Sequence, residues 1–138
     1  MGVPIDITYS GNLHCEAVHG PSKTKLVTDA PVDNGGKGES FSPTDLVATA
    51  LGACMLTIMG LVATRDKIAI EGTEVHVEKE MVQQPERRIG TLRVKITVKG
   101  GKELDQAYRD KLERAAHTCP VHKSLHPDIQ TPIEFIYV

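Results

Sequence analysis

The feature that most constrains this chain is an uncharged run of 19 residues, 46–64, in a sequence in which 25% of the side chains are charged. Its length passes the screen for a membrane-spanning helix, which begins at roughly 18 apolar residues. The run also contains threonines, glycines and alanines, which weaken transfer to lipid and help close approach in a protein core. We therefore expect a buried helix inside a water-soluble fold, with no membrane partner.

The start of this helix is well signalled. Ser42 can accept hydrogen bonds at the cap, Pro43 suits the first helical position, and Asp45 lies where a capping-box acid complements the dipole. The glycine-rich loop before it, residues 31–40, matches neither a P-loop nor a dinucleotide-binding fingerprint. We therefore interpret that loop as flexible backbone rather than as a phosphate site.

Alternating apolar residues predict strands before and after the central helix. Three short strands precede it, a hairpin covers residues 74–98, an amphipathic helix covers 103–118, and a last strand follows near residue 135. The predicted order is βββ-α-ββ-α-β, an α+β fold with an antiparallel sheet packed on two helices, the first of them buried. Without a repeat or linker, residues 1–138 are expected to form a single domain.

Composition excludes some classes of function. The formal net charge is -2, and the chain has no Trp, two Phe and three Tyr, so nucleic acid is not expected as a partner. The N-terminus lacks the features of a signal peptide, which favours a cytoplasmic protein whose thiols are kept reduced. Three cysteines cannot all pair within one chain, and a disulfide in that compartment would be transient and catalytic.

The local contexts of two cysteines differ. Cys54 lies within the uncharged run, where a thiol is usually an inert small hydrophobe unless a cation or hydrogen-bond donor activates it. Cys119 precedes Pro120 and can cap a short helix, where backbone amides favour a thiolate. His117, His122 and Lys123 add positive charge nearby. Local context therefore predicts that Cys119 is the more acidic thiol, although a cysteine that only caps and fills space fits the same pattern.

Metal and cofactor sites are not expected. His117, Cys119, His122 and His126 form an H-x-C-x-x-H-x-x-x-H pattern that Cys54 could complete, but this spacing matches no common zinc signature. Histidines near a helix end more often cap carbonyls or face water. Cys15, which alternates with apolar residues on a strand, is interpreted as a core or interface residue.

Two segments carry a resemblance to a known family. Ser42-Pro43-Thr44-Asp45-Leu46 followed by Ala48-Thr49-Ala50-Leu51-Gly52-Ala53-Cys54, and Cys119-Pro120-Val121-His122-Lys123-Ser124-Leu125, resemble the OsmC/Ohr family of osmotically inducible and organic hydroperoxide resistance proteins. The resemblance covers nearly the whole chain, in element order as well as in motifs. It implies an OsmC-like fold and an intertwined homodimer with its sites at the subunit interface.

The same resemblance implies a thiol peroxidase. The peroxidatic cysteine of the family falls on Cys54 and its resolving cysteine on Cys119, so a hydroperoxide would convert Cys54 to a sulfenic acid that Cys119 condenses into a disulfide. A dithiol reductant would reopen that disulfide. An apolar helix around the nucleophile favours organic hydroperoxides as substrates. The expected functions are thus hydroperoxide reduction and oxidative stress response.

The chain departs from the family in the groups that activate the nucleophile. Family peroxidases use an N-terminal arginine paired with a glutamate just after the helix-opening proline. The first arginine here is Arg65 and the residue after Pro43 is Thr44, so Asp45 is the candidate substitute for the glutamate. Replacements for the arginine come from a short set of cations: His19, Lys23, Lys25 and His122. These departures also favour an alternative function, a noncatalytic OsmC-like protein that binds a small hydrophobic ligand at the dimer interface.

Overall fold

A computed structural model describes residues 1–138, which divide into two units, Met1–Val47 and Ala48–Val138. The elements follow the predicted order, with one further short helix after the second long one. A single helix, α1 (Pro43–Arg65), contains the boundary between the two units.

The first unit is built on a three-stranded antiparallel sheet in the order β1-β2-β3. Its strands are β1 (Ile5–Gly11), β2 (His14–His19) and β3 (Lys25–Asp29). Asn12 and Leu13, both at positive φ, turn the chain from β1 into β2. The predicted hairpin is therefore present, and large apolar side chains of β1 remain exposed in this chain.

Asp29 and Ser42 organise the loop that connects β3 to α1. The Asp29 carboxylate is buried, and its Oδ2 accepts hydrogen bonds from the backbone N–H groups of Lys37 and Glu39 at 3.2 and 3.0 Å. At the end of the loop Ser42 N–H donates to Asp45 Oδ2 at 2.9 Å, and Asp45 N–H donates to Ser42 Oγ at 3.1 Å. This reciprocal pair confirms the capping box predicted from the sequence.

Helix α1 presents two different faces. Leu51, Met55, Met59 and Ala63 recur every four residues and are buried, as expected for an inward stripe. The opposite face, Thr49, Ala53, Thr57 and Leu61, is exposed in this chain. By length and composition α1 could cross a membrane, but one such helix is weak support, since core helices pass the same test.

The second unit contains the other three-stranded sheet, in the order β4-β5-β6. Its strands are β4 (Glu74–Val82), β5 (Arg88–Val98) and β6 (Ile133–Tyr137). The predicted hairpin β4–β5 is antiparallel, whereas β6 runs parallel to β5. A parallel pair needs a long crossover, and the chain supplies it through α2 (Gln106–His117) and α3 (Pro120–Ser124).

Close contacts join the helices of the second unit to its sheet. Gly52 of α1 lies against Val75 and Val77 of β4, where an added Cβ would come within 3.1 Å of both side chains. Tyr137 of β6 donates a hydrogen bond from its hydroxyl to Glu113 of α2 at 2.7 Å. The buried core includes Leu92, Ile96 and Leu112. This core holds α1 and the junction of α2 with α3 in place, and these two positions carry the two cysteines of interest.

Candidate active site at two cysteines

The fold brings the thiols of Cys54 and Cys119 together, although 65 positions separate them in the chain. Cys54 lies in the middle of α1, and Cys119 is the N-cap residue of α3. The two side chains are hydrogen bonded to each other. Cys119 is fully buried at 0% exposure, whereas Cys54 is partly exposed, and both thiols are free. The arrangement is thus a reduced, asymmetric pair with one accessible sulfur.

Burial dominates the protonation of Cys119. Removal from water raises the pKa of the Cys119 thiol, and the hydrogen bond with Cys54 raises it further. The backbone N–H of His122, 3.4 Å from the Cys119 sulfur, lowers that pKa. The capping geometry predicted from the sequence is confirmed, but the prediction of an acidic thiol at Cys119 is wrong, because loss of hydration outweighs the amides at the helix start. None of the main influences on Cys119 comes from a cationic side chain.

The histidines near Cys119 are engaged with other groups. His122 Nε2 lies 2.9 Å from Thr131 Oγ1, and His126 Nδ1 accepts the N–H of Asp128 at 3.0 Å. His117 makes ring contacts with Phe135 and His122 at centroid distances of 6.4 Å. The hypothetical metal site of these histidines with the two cysteines therefore gains no support from their contacts. Thr131, the partner of the His122 ring, carried no signal in the sequence.

Asp45 and three of the candidate cations belong to the first unit; these cations are His19, Lys23 and Lys25. The Asp45 carboxylate takes part in the helix cap described above. Lys25 Nζ lies 3.8 Å from Glu16, and His19 Nδ1 lies 2.6 Å from Ser22 Oγ. The role of Asp45 as a catalytic residue stays a prediction.

Cys15 belongs to the first unit. It lies in β2, opposite Tyr9 of β1 and Thr28 of β3, and is partly exposed. The predicted strand position of Cys15 is confirmed, and its role as a core or interface residue stays a prediction.

Comparisons with known proteins agree with the fold. A crystal structure of a Psychrobacter arcticus protein assigned to osmotic stress and detoxification response is 45% identical, with a TM-score of 0.90 over 98% of this chain and 97% of that chain. The organic hydroperoxide resistance protein OhrB of Bacillus subtilis shares the fold at 18% identity, with a TM-score of 0.69 over 98% of each chain. An uncharacterized protein of Acinetobacter baylyi is 33% identical over 77% of this chain and 73% of its own length.

The family assignment rests on sequence as well as on fold. The model of the OsmC-like protein family matches residues 36–134, a segment that contains both cysteines of the pair and most of the elements described above. The chain therefore belongs to the OsmC-like protein family.

Proposed function

We propose that this protein is a thiol peroxidase that reduces organic hydroperoxides, with Cys54 as the nucleophile and Cys119 as the resolving cysteine. The observation that carries the proposal is the direct hydrogen bond between two free thiols of unequal exposure. Membership in the OsmC-like family supports it, as do the names of relatives that include organic hydroperoxide resistance proteins.

The first step is attack by the accessible sulfur. The Cys54 thiolate attacks the distal oxygen of the hydroperoxide, the S–O bond forms as the O–O bond breaks, and the alcohol leaves with a proton. Because the raised pKa of Cys119 keeps its proton in place, Cys119 is the donor of the hydrogen bond and Cys54 its acceptor.

The second step uses the buried sulfur. Cys119 loses its proton and attacks the Cys54 sulfenic acid, so that an S–S bond forms, the S–O bond breaks and water leaves. The hydrogen bond between the two thiols supports this pairing. A dithiol reductant then restores both thiols by exchange. Its first target is the more exposed Cys54 sulfur.

The expected rate is lower than that of relatives with the activating arginine. The family arginine and glutamate that activate the nucleophile are absent from this sequence, where the first arginine is Arg65 and Thr44 follows Pro43, and a thiolate without a nearby cation loses electrostatic stabilisation. A hydrogen bond between thiols is a weak replacement, since S–H is a poor donor. The proposal is therefore a slower enzyme rather than an inactive one.

The direct test is oxidation of the reduced protein with cumene hydroperoxide, followed by mass mapping of the disulfides. Wild type should form a Cys54–Cys119 disulfide. Cys54→Ser should abolish turnover, and Cys119→Ser should accumulate a sulfenic acid that dimedone traps. Cys15→Ser is the matched control and should react like wild type. Unmodified Cys54 and Cys119 after the treatment would refute the peroxidase.

The same experiment addresses the alternative function of a binding protein. Hydroperoxide consumption no faster than that of free cysteine, together with a small hydrophobic molecule that copurifies, would favour ligand binding. The absent family arginine and glutamate are the features that favour this alternative.

A homodimer is part of the proposal. β1 leaves Ile5, Ile7 and Tyr9 at 57%, 67% and 64% exposure, which is unusual for large apolar side chains spaced by two along one strand. Burial of this strand face against a second copy would remove it from water, as the intertwined dimers of the family imply.

A further inference from the structure

Three side chains of the first unit that could bind a metal converge on one point. His14 comes from β2, Asp29 from the end of β3 and Glu39 from the loop that follows. Their ligand atoms, one from each residue, all lie within 4.8 Å of one another. His14 Nε2 is 3.6 Å from Asp29 Oδ2 and 3.6 Å from Glu39 Oε2.

The tautomer of His14 is fixed by its second nitrogen. Nδ1 lies 2.7 Å from the carbonyl oxygen of Asn12, and a carbonyl can only accept, so Nδ1 carries the proton. A backbone carbonyl on one ring nitrogen is the usual way in which proteins orient the other nitrogen toward a metal. Nε2 is the nitrogen that faces the two carboxylates.

The distances suit a shared cation better than direct hydrogen bonds. A hydrogen bond from Nε2 would bring the heavy atoms to about 2.7–3.2 Å, and both carboxylate oxygens lie beyond that range. Ligands at about 2.1 Å from a tetrahedral zinc ion are about 3.4 Å apart. The two 3.6 Å separations are close to that edge length.

The Asp29 carboxylate provides a second, independent observation in favour of a bound cation. Its side chain has 0% exposure, and its Oδ1 is buried without a hydrogen-bond partner. Oδ1 belongs to the carboxylate whose other oxygen, Oδ2, lies 3.6 Å from His14 Nε2. An unpaired buried carboxylate oxygen is costly, and coordination would satisfy it.

Charge and access favour a cation as well. The cluster combines two carboxylates with one imidazole. Nζ of the nearby Lys37 lies 4.0 Å from the Glu39 oxygen that does not face His14, Oε1. The Glu39 side chain is 56% exposed, so the cluster is accessible to solvent on this side, whereas the Asp29 side chain is fully buried. An ion can therefore enter from the Glu39 side.

We propose that His14, Asp29 and Glu39 bind a divalent first-row transition metal ion, of which Zn²⁺ is the representative probe. One imidazole with two carboxylates suits Zn²⁺ or its neighbours, whereas Mg²⁺ and Ca²⁺ prefer oxygen ligands alone. Cys15 follows His14 directly in β2, so its side chain points to the other face of the sheet and is not a ligand. The site shares no residue with the Cys54–Cys119 pair, so its test does not depend on the proposed peroxide chemistry.

The test is calorimetric titration of Zn²⁺ into the full chain with its three cysteines replaced by serine, which removes competing thiolates. This background should bind one Zn²⁺ per chain. Glu39→Gln, which keeps the shape of an exposed side chain, should weaken binding at least about 10-fold, as should His14→Gln. Glu78→Gln is the matched control, because Glu78 also faces a histidine, His76 at 3.2 Å, without a third ligand. It should leave the affinity unchanged.

A second measurement keeps the proposal testable if the serine background folds poorly. In reduced wild type, Zn²⁺ should shift the imidazole nitrogen signals of His14 in NMR spectra, and Glu39→Gln should reduce that shift. Absence of Zn²⁺ binding, equal affinity in the Glu39→Gln variant, or unmoved His14 signals would each overturn the site. The cluster would then be a contact between one histidine and two carboxylates without a bound metal.

Discussion

At Cys119, two physical effects oppose each other in one side chain. The N–H groups at the start of α3 favour a thiolate, whereas complete burial favours the neutral thiol, and burial has the larger effect. The outcome matters for the proposed chemistry. A protonated Cys119 donates a hydrogen bond to Cys54 and acts as the resolving thiol of the second step rather than as the nucleophile of the first. Differences in exposure, rather than local charge, separate the proposed roles of the two sulfurs.

This residue-scale asymmetry predicts an order of alkylation. With iodoacetamide at pH 7–8, the partly exposed Cys54 and Cys15 should be labelled well before Cys119, since burial blocks access and the raised pKa of Cys119 keeps its thiolate scarce. Labelling of Cys119 should accelerate as pH rises through and above 9. Mass mapping of a time course measures the order, and early labelling of Cys119 would contradict it.

At the scale of elements, α2 is tied to the end of α1 by a polar cluster at Asp66. The hydroxyl of Tyr108 and Nζ of Lys111 both donate to Asp66 Oδ2, at 3.0 and 2.7 Å. Burial, together with the hydrogen bond to Asp66 and its charge, raises the pKa of Tyr108 to about 12. The cluster therefore links two helices that the sequence separates by 40 residues.

Tyr108→Phe should lower the free energy of unfolding by about 1 kcal/mol near pH 7, the usual net value of one hydrogen bond. The pKa of Tyr108 is higher in the folded chain than its ordinary 10, so this contribution is complete below about pH 10 and is lost as pH rises toward 12. The stability difference between wild type and variant should therefore shrink over that range. Urea unfolding at several pH values measures it.

Asp66→Asn is the companion variant for this prediction, because it leaves the phenol in place and removes the charge that holds it. The free energy of unfolding of Asp66→Asn should depend less on pH between 10 and 12 than that of wild type, as expected for Tyr108→Phe. A Tyr108→Phe variant whose stability falls with pH as steeply as that of wild type would contradict the assigned role of the phenol.

At the scale of the whole molecule, this chain leaves apolar surface that a second copy could cover. Large apolar side chains of β1 and one face of α1, formed by Thr49, Ala53, Thr57 and Leu61, are exposed in this chain. Obligate dimers bury apolar surfaces of this kind. These surfaces support the proposed homodimer, which the family resemblance also implies.

Ile7→Glu should convert the proposed dimer to a monomer at micromolar concentrations, since it places a charge in the middle of the exposed β1 face. Thr8→Glu is the control on the same strand, because its side chain points to the opposite side of the sheet. Sedimentation velocity measures the mass of each, and circular dichroism checks that each is folded. A wild type that sediments as a monomer would contradict the proposal.

The sequence determined the elements of this protein, their order and the family. Capping at Ser42 and Asp45, alternation in β4 and β5, and the helix stop at Pro120 all depend on neighbours within a few residues, so they can be read without a fold. The two cysteine motifs were recognisable for the same reason, since each is contiguous.

Only the tertiary structure decided what these residues meet. Burial of Cys119, its contact with Cys54, the parallel placement of β6, and the approach of His14 to Asp29 and Glu39 each join segments that are distant in sequence. Desolvation and metal coordination depend on the distances among such segments, and local patterns do not encode those distances. The tertiary structure therefore shows that Cys119, predicted to be acidic, is a buried hydrogen-bond donor. It also shows that His14, Asp29 and Glu39, which the sequence did not single out, form a candidate metal site.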